Sequence, residues 1–395
     1  MLVIKFSNTK QLTLKMIELK GMAWDHPRGY EPLIAASKAF KKSNPNISIK
    51  WDVRSLKEFG DMPIEDLISK YDLITIDHPY MGQADKNGLL LKLEEHFTSD
   101  ALQTLEKQSL GKCFESYHYN NHLYATPIDA AALVAAYRKD ILEEISLSLP
   151  RTRKDLKSFY KKLPSGFSVA WALCPTDIWC TFLSLCAQNE GASFINNYQI
   201  NKAVGSSVLD EIKFNLNFIH PESLNWNPIQ ILDRMGNDDE IIYSPYLFGY
   251  TNYSRKGYTK NLVHFENSPV GKQKDVSTIM GGVGLAVSAL SKNPSEAARF
   301  TEYVAGAKIQ EGLFTKNGGQ PANKLAWNNM TNDKLCHNFF KDTVWTIKNA
   351  YIRPQHPSWN EFQEQGADII HESILKNVNS EKAMNQLNAL YQSIK

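Results

Sequence analysis

The 395-residue sequence has few cysteines, no block of one charge and no long apolar run. Its five cysteines are odd in number and lack the spacing of a zinc finger or a CxxC pair, so we expect free buried thiols. The 44 basic and 42 acidic side chains leave a net charge of +2 without a basic patch, which disfavours nucleic acid as a partner. No apolar run reaches the roughly 20 residues that a membrane span requires, so we expect the chain as given to be soluble.

The common catalytic motifs are also missing. There is no HExxH, GxSxG or P-loop, and Gly281-Gly-Val-Gly284 leads into a strand pattern, which is the wrong setting for a phosphate cradle. Asp25-His26 and Asp77-His78 suggest acid–base or metal chemistry, but adjacent residues at a strand end point in opposite directions. We therefore expect a binding protein and not an enzyme, with no cofactor and no metal.

Residues 1–16 interleave lysines with single apolar residues. They offer neither a continuous apolar segment nor a small-residue cleavage site, so they do not read as a signal peptide. We treat them as an N-terminal extension, and the cytoplasm is the expected location of the chain as given.

Strand and helix patterns alternate from residue 17 onward. Residues 17–23 and 72–77 read as strands, the segments 24–30 and 77–80 read as loops, and a helix is predicted from Pro32 to about Lys42. Such alternation predicts an α/β fold with a mostly parallel sheet in each lobe, flanked by helices. Because ligands bind outside the carboxyl ends of parallel strands, both loops should face one crevice.

The length predicts two lobes, since a single core rarely grows beyond about 250 to 300 residues. Small residues from Ala130 to Tyr137 would carry the chain across, and the extended run Gly281–Ser288 would carry it back. We assign 17–130 and 283–331 to lobe 1, and 131–282 and 332–395 to lobe 2. Hinges are expected near 129–132 and 282–285.

Cap signals locate several later elements. Thr152 and Asp155 form a capping-box pattern, and Asn227 with Pro228 announces a helix that Gly236 would end. Helices are predicted at about 176–188, 206–218, 227–235, 359–375 and 380–394, and after Asn293-Pro294. Strands are predicted at 167–170 and 241–244, and the second of these should deliver residues 245–253 into the crevice.

The loop ends supply aromatic faces and polar groups, which a polyhydroxylated ligand requires. The candidate ligand-binding residues are Trp24, Asp25, His26, Arg28, Asp77, His78, Asp129, Tyr246, Tyr250, Tyr253, Gly281, Gly282, Arg353 and Trp359. Asp177 is a weaker candidate, because a helix-cap role explains it.

Several of these candidates also have structural interpretations. Asp77 could cap a helix, and the histidines before proline could shape turns. Arg28 could pair with Asp25 or grip a ligand carboxylate in a bidentate fork. Arg353 could bridge the two lobes, and the Gly281-Gly282 pair could serve as a hinge.

A family resemblance follows from the order of several short motifs. They are Gly88-Leu-Leu-Leu-Lys-Leu-Glu94, Tyr124-Ala-Thr-Pro-Ile-Asp129, Tyr137-Arg-Lys-Asp140, Leu149-Pro-Arg-Thr152, Gly281-Gly282, Ala286-Val-Ser288 and Arg353-Pro354. Together they resemble the family 1 extracellular solute-binding proteins of ABC importers, over about residues 17–395. The resemblance implies a type II periplasmic-binding-protein fold that closes two lobes around a solute, usually a sugar or oligosaccharide, for a permease. It also implies a periplasmic or extracellular location.

Two functions remain open at this point. The first is a receptor, expected to be a monomer, that hands a carbohydrate or sugar derivative to an ABC permease. The second is a cytoplasmic carrier or sensor of the same fold for a sugar acid or small carboxylate.

Overall fold

Two groups of strands share one long crossing strand in the structure, a computed structural model that describes residues 15–61 and 63–395. The predicted N-terminal extension therefore lies outside the described residues, except for its last two positions. The strands are β1 Ile17–Trp24, β2 Ile47–Arg54, β3 Leu73–Ile76, β4 His118–Tyr119, β5 His122–Leu123, β6 Ala125–Tyr137, β7 Ser168–Val169, β8 Ile195–Asn196, β9 Gln199–Ile200, β10 Ile241–Phe248, β11 His264–Glu266 and β12 Met280–Val287.

Helices surround these strands on both sides of the crossing. They are α1 Pro27–Ser43, α2 Leu56–Asp61, α3 Glu65–Ile68, α4 Met81–Asn87, α5 Ser99–Gln108, α6 Lys139–Glu144, α7 Leu156–Lys161, α8 Pro175–Glu190, α9 Lys202–Asn215, α10 Pro228–Asn237, α11 Pro294–Ala305, α12 Lys324–Trp327, α13 Met330–Leu335, α14 Phe339–Lys348, α15 Trp359–Leu375 and α16 Ser380–Ser393. Within the described ranges, no helix combines the length and the apolar character that crossing a bilayer requires.

The main sheet has the strand order β2-β1-β3-β12-β6-β10-β7, and β11 pairs with β6 outside this path. Strands β1, β2 and β3 pair in parallel, as do β7 and β10. The central strands are antiparallel: β6 pairs with β12 through residues 125–132 and with β10 through residues 133–137. The 13-residue strand β6 thus belongs to both groups of strands.

Two large hydrophobic cores flank this crossing. The first is built from residues between 19 and 128 together with residues between 283 and 314. The second is built from residues between 133 and 279 together with residues between 351 and 391. We call the elements around these cores the first and the second lobe. A third cluster packs around β6 and includes Trp226, Trp327 and Phe339. The predicted lobe boundaries at 130/131, 282/283 and 331/332 stay predictions.

Several predicted elements are confirmed with their physical causes. The Thr152–Asp155 capping box forms, and Asn227 caps α10 in a second capping box with Gln230. Helix α11 follows Asn293-Pro294 and buries the apolar face that includes Ala297 and Phe300. The two C-terminal helices lie where the periodicity placed them.

Other boundaries were wrong. Helix α1 begins at Pro27 and not at Pro32, because His26 caps it and Pro27 occupies the first turn, so the predicted 24–30 loop is mostly helix. Helix α9 begins earlier than predicted, at Lys202, since the side chain of Asn201 accepts two backbone N–H groups. Gly236 does not end α10, which continues through Asn237.

Strand β10 also extends beyond its predicted end. It continues to Phe248, with an irregular register between Ser244 and Leu247 next to Pro245. Helix α14, which covers Phe339–Lys348, was not predicted.

Candidate functional site

The candidate site lies where the carboxyl ends of β1 and β3 meet the crossing strands. The two parallel strands end at Trp24 and Ile76, and a capped helical turn follows each of them. His26 caps α1 by accepting the backbone N–H of Arg28, and Asp77 accepts the N–H of His78 to cap a short 3₁₀ turn. The caps turn the chain sharply, which keeps residues 24–28 and 77 at the same edge of the sheet.

A cavity of about 380 Å³ opens at this edge between the two lobes. Its volume is within the roughly 300–1,000 Å³ that small-molecule sites occupy. Eight of the fourteen predicted ligand-binding residues line it: Trp24, Arg28, Asp77, Asp129, Tyr250, Gly281, Gly282 and Arg353. The predicted crevice therefore exists between the lobes.

Arg28 and Asp129 form a bidentate ion pair in the wall of the cavity. Arg28 Nε and Nη2 donate to the two carboxylate oxygens at 2.8 and 2.5 Å, and Nη1 donates to the carbonyl oxygen of Gly249 at 2.8 Å. Both side chains are almost fully buried. Burial alone would lower the pKa of Arg28, but the facing Asp129 carboxylate raises it above the ordinary value. The predicted pairing of Arg28 with Asp25 is wrong, since Arg28 pairs with Asp129 and Asp25 is exposed.

A second ion pair crosses the cavity between Asp77 and Arg353. Arg353 Nη2 donates to Asp77 at 2.6 Å, and Nη1 donates to Gln363 Oε1 at 2.9 Å. Burial would raise the pKa of Asp77, but the Arg353 guanidinium and the hydrogen bond with His78 hold it well below its usual range. Because Asp77 follows β3 and Gln363 lies on α15, Arg353 connects the first lobe with the second.

Aromatic rings supply much of the remaining wall. Trp24 and Phe59 lie with their ring centroids 5.5 Å apart. Tyr250 lies beneath the Arg28 guanidinium, 4.7 Å from the ring centroid, which is a cation–π contact. A Cβ atom on Gly281 would lie 2.5 Å from the ring of Phe248, so only glycine lets that ring approach the crossing strand so closely.

Among the described residues, two buried N–H donors of cavity-lining side chains have no hydrogen-bond partner: Trp24 Nε1 and Arg353 Nε. Leaving a buried donor unpaired costs about 1–3 kcal/mol, so native structures rarely tolerate one without a reason. Each donor is therefore left for an acceptor that the described residues do not supply.

Asp177, which the sequence ranked as a weaker ligand-binding candidate, lines the cavity from the second lobe. It does not cap its helix, because Cys174 occupies that position and Asp177 lies in the first turn. Its carboxylate accepts a hydrogen bond from the Cys174 thiol at 3.0 Å. Burial, opposed only by that hydrogen bond, raises the pKa of Asp177 to about 7.

Twelve further lining residues were not proposed as ligand contacts, among them Phe59, Thr176, Asn227 and Gln363. The sequence marked Asn227 as a helix cap. Because that helix begins at the crevice, the cap position was the signal that could have indicated a cavity residue. For Phe59 no signal was available, because its position depends on where the short helix α2 packs.

Six predicted residues lie outside the cavity lining, and their ligand contacts stay unsupported predictions. Asp25 is exposed, whereas His26 and His78 are buried in the caps at the strand ends. The three aromatic candidates among the six pack in hydrophobic cores: Tyr246, Tyr253 and Trp359. For example, the hydroxyl of Tyr253 donates to Asp233 at 2.6 Å.

The histidines do not form acid–base pairs with ligand access. Burial and the neighbouring Arg28 charge lower the pKa of His26 to about 3, and its Nδ1 already accepts an N–H. His78 Nδ1 lies 3.1 Å from Asp77, but the imidazole is fully buried and burial lowers its pKa.

A second pocket of about 510 Å³ adjoins the cavity and shares Pro175, Thr176 and Gln363 with it. Its walls come from α4 in the first lobe and from α8 and α15 in the second. The charged residues that line it are Lys86, Glu361, Glu364 and Asp368. The two spaces thus follow one another along the interface between the lobes.

Comparisons with known proteins agree with this architecture. Residues 35–334 match the sequence profile of a bacterial extracellular solute-binding protein family. Over 126 residues the chain is 25% identical to a maltotriose-binding protein of Pyrococcus abyssi. That match spans 32% of this chain and about a quarter, 26%, of the relative's length.

Solved structures share the fold at low sequence identity. The maltose-bound MalE3 of T. maritima has a TM-score of 0.83 at 16% identity, covering 96% of this chain and 100% of its own. A ribitol-bound solute-binding protein of Agrobacterium radiobacter K84 has a TM-score of 0.81 at 20% identity, covering 97% and 100%. The GacH receptor of Streptomyces glaucescens, solved unliganded and with acarbose, has a TM-score of 0.78 at 14% identity, covering 96% and 98%. The predicted two-lobed fold of binding proteins is therefore confirmed.

Proposed function

The chain belongs to the bacterial extracellular solute-binding proteins, and from that membership we propose that it holds a small carbohydrate or sugar derivative between its lobes for an ABC importer. Membership in a family of binding proteins also agrees with the expectation that the chain is not an enzyme. The observation that carries the ligand proposal is the interlobe cavity, which offers aromatic faces and unpaired buried donors side by side.

The cavity chemistry suits a polyhydroxylated ligand. Rings such as Trp24 can cover the C–H face of a sugar, while its hydroxyl oxygens accept from Trp24 Nε1 and Arg353 Nε. The Asp177 carboxylate can accept from two hydroxyls at once. Three structural neighbours were solved with maltose, ribitol and acarbose, which are ligands of this general kind.

The alternative of a carrier for a sugar acid has less support. It relies on Arg28 to grip a ligand carboxylate, but the guanidinium already gives both arms of its fork to Asp129. Freeing Arg28 would leave Asp129 buried without its counter-charge, which typically costs about 3–5 kcal/mol. We therefore assign the two ion pairs to holding the cavity walls in place.

Closure of the lobes would be the signal for a permease partner, because a ligand that contacts both lobes favours the closed arrangement.

The crossing strands support hinges near 129–132 and 282–285. The β6–β12 register shifts between Val283 and Gly284, and Gly282 has a φ of +115°, a conformation that favours glycine. Such irregular points are where paired strands can bend.

The proposal is tested by calorimetry and thermal shift with neutral sugars, polyols and sugar acids. A ligand at 100 times its Kd adds roughly 2.7 kcal/mol of stability to the native state. Trp24→Ala is expected to abolish this gain, and Trp24→Phe, which keeps a ring but removes the N–H donor, to reduce it. Phe214→Ala, at an exposed position on α9, serves as the control that leaves binding unchanged. Stabilisation that persists undiminished in Trp24→Ala, or none with any ligand, would contradict the proposal.

A further inference from the structure

The charges that line the cavity do not cancel. Among the described residues, the lining contains two cations, Arg28 and Arg353, and three carboxylates, Asp77, Asp129 and Asp177. The first two carboxylates are each paired with one arginine, at 2.5 and 2.6 Å. Asp177 is therefore the carboxylate that remains without a cation.

The surroundings of Asp177 supply no counter-charge. Its side chain is 8% exposed, and its one recorded side-chain partner is the neutral thiol of Cys174. No lysine, arginine or histidine of the described ranges lies within 4.0 Å of its carboxylate oxygens. A buried carboxylate normally has such a partner, because removing an unpaired charge from water is costly.

The adjoining pocket has the same sign of charge. Its described lining contains one cation, Lys86, and three carboxylates, those of Glu361, Glu364 and Asp368. A cleft lined by an excess of one charge attracts ligands of the opposite charge and repels those of the same charge. Both spaces between the lobes thus favour a cationic ligand over an anionic one.

We propose that Asp177 selects an amine-bearing sugar or polyol, whose ammonium group forms the missing ion pair inside the cavity. The inference rests on the proposed function and names the ligand class of the same site. Trp24 lines the same cavity, and tryptophan is the aromatic residue that attracts cations most strongly. The hydroxyls of the ligand would be left to satisfy the unpaired Trp24 and Arg353 donors.

Neutral and acidic sugars fit this charge arrangement less well. A neutral sugar can donate two hydroxyl hydrogen bonds to Asp177, but it leaves the buried charge uncompensated. A sugar acid would bring a second unpaired carboxylate, and like charges in a desolvated site repel each other. The expected order of affinity is amine, then neutral sugar, then sugar acid.

The experiment uses two matched series that differ at one carbon. The first contains 1-amino-1-deoxysorbitol, sorbitol and gluconate; the second contains 1-amino-1-deoxymaltitol, maltitol and maltobionate. Calorimetry is performed on the wild-type chain and on Asp177→Asn, a variant of nearly equal shape, at a pH near 7.5, where a primary amine with a pKa of about 10 is protonated.

In at least one series, the amine is expected to bind the wild type about tenfold or more tightly than its neutral partner, and Asp177→Asn should remove that preference while retaining neutral binding. Glu381→Gln, at an exposed position on α16 outside both pockets, is the control and should change affinity by less than about threefold. Neutral or acidic members that bind as tightly as the amine would overturn the inference and leave the proposed function standing. An equal loss of affinity for all ligands in Asp177→Asn would also overturn the inference and leave the proposed function standing. No binding by any member would overturn both proposals.

Discussion

Replacing Asp177 by asparagine is expected to stabilise the protein, and by an amount that grows with pH. Burial raises the pKa of this carboxyl to about 7, whereas an aspartate in the unfolded chain titrates near 3.9. Between these values the unfolded state loses its proton first, so rising pH favours unfolding. Ionisation of Asp177 therefore lowers the free energy of unfolding. This penalty is roughly 4 kcal/mol at pH 8, from about 3 pKa units at about 1.4 kcal/mol each, and about 1.5 kcal/mol at pH 5.

Asparagine removes this penalty because it carries no charge, and its amide oxygen can still accept from Cys174. We therefore expect Asp177→Asn to raise the free energy of unfolding by about 4 kcal/mol at pH 8 and by about 1.5 kcal/mol at pH 5.

The assay is urea unfolding of the ligand-free protein at both pH values, followed by tryptophan fluorescence. Asp155→Asn is the matched control, because this exposed carboxylate accepts the backbone N–H of Thr152 in a capping box. Asparagine keeps an acceptor oxygen but loses the charge, whose pKa the hydrogen bonds from Thr152 lower, so this variant should be slightly less stable than wild type at pH 8. An Asp177→Asn variant that is less stable than wild type at pH 8, or that gains the same amount at both pH values, would refute the reasoning.

Three further predictions concern the ion pair, the crossing and the ligand. Arg28→Met should lower the free energy of unfolding by about 3–5 kcal/mol, because it leaves Asp129 buried and unpaired, and adding Asp129→Leu should recover most of the loss in the same urea assay. Gly282→Ala should lower the free energy of unfolding by at least about 1 kcal/mol, since φ is +115° and the new Cβ would lie 2.3 Å from the Asp129 carbonyl oxygen. Gly312→Ala is the control and should be tolerated, because its new Cβ would meet no atom within 4 Å. Calorimetric affinity for 1-amino-1-deoxysorbitol should rise from pH 6 to pH 8 as Asp177 loses its proton near pH 7, and Asp177→Asn should show no such rise.

The pH prediction depends on the other groups near Asp177 keeping their charge state. The titratable groups that interact with it are Cys174, Cys180 and Tyr250. Burial raises the pKa of Cys180 and of Tyr250 to about 12, and it raises the pKa of Cys174 still further above its ordinary value. The charged groups on the other described walls of the cavity are the two arginine–aspartate pairs. The pKa of each arginine is raised and that of Asp77 is lowered, whereas burial, opposed by Arg28, raises the pKa of Asp129. A flat affinity profile in the wild type, or an equal rise in Asp177→Asn, would contradict the prediction.

Contacts between residues distant in the chain were the least predictable part of the site. Arg28 and Asp129 are 101 positions apart, and the sequence offered Asp25 as a nearer partner. The pairing follows from the sheet, in which β12 lies between β3 and β6 and brings Asp129 across from the start of α1. Arg353 and Asp77 meet across 276 positions for a similar reason, although the role of Arg353 as a bridge was anticipated.

The aromatic candidates show a second limit. Residues 245–253 were expected to enter the crevice, but β10 continues to Phe248 and sends Tyr246 into the second core. A one-residue difference in register turns a side chain from one face of a sheet to the other, and the irregularity after Ser244 is not visible in the composition. Only Phe248 and Tyr250 of this stretch reach the cavity.

Local physical chemistry, by itself, determined which elements form and where the ligand crevice opens. Strand and helix periods and caps are properties of neighbouring residues, so they could be read along the chain. The order of the motifs added a family resemblance, which implied the solute-binding fold for the two lobes. Tertiary structure alone decided which charges are neutralised. The cavity contains more carboxylates than cations because two of them meet arginines from distant elements and Asp177 does not. Burial and pairing are set by packing in three dimensions, and they turned a residue that the sequence marked as a helix cap into the strongest candidate for ligand selection.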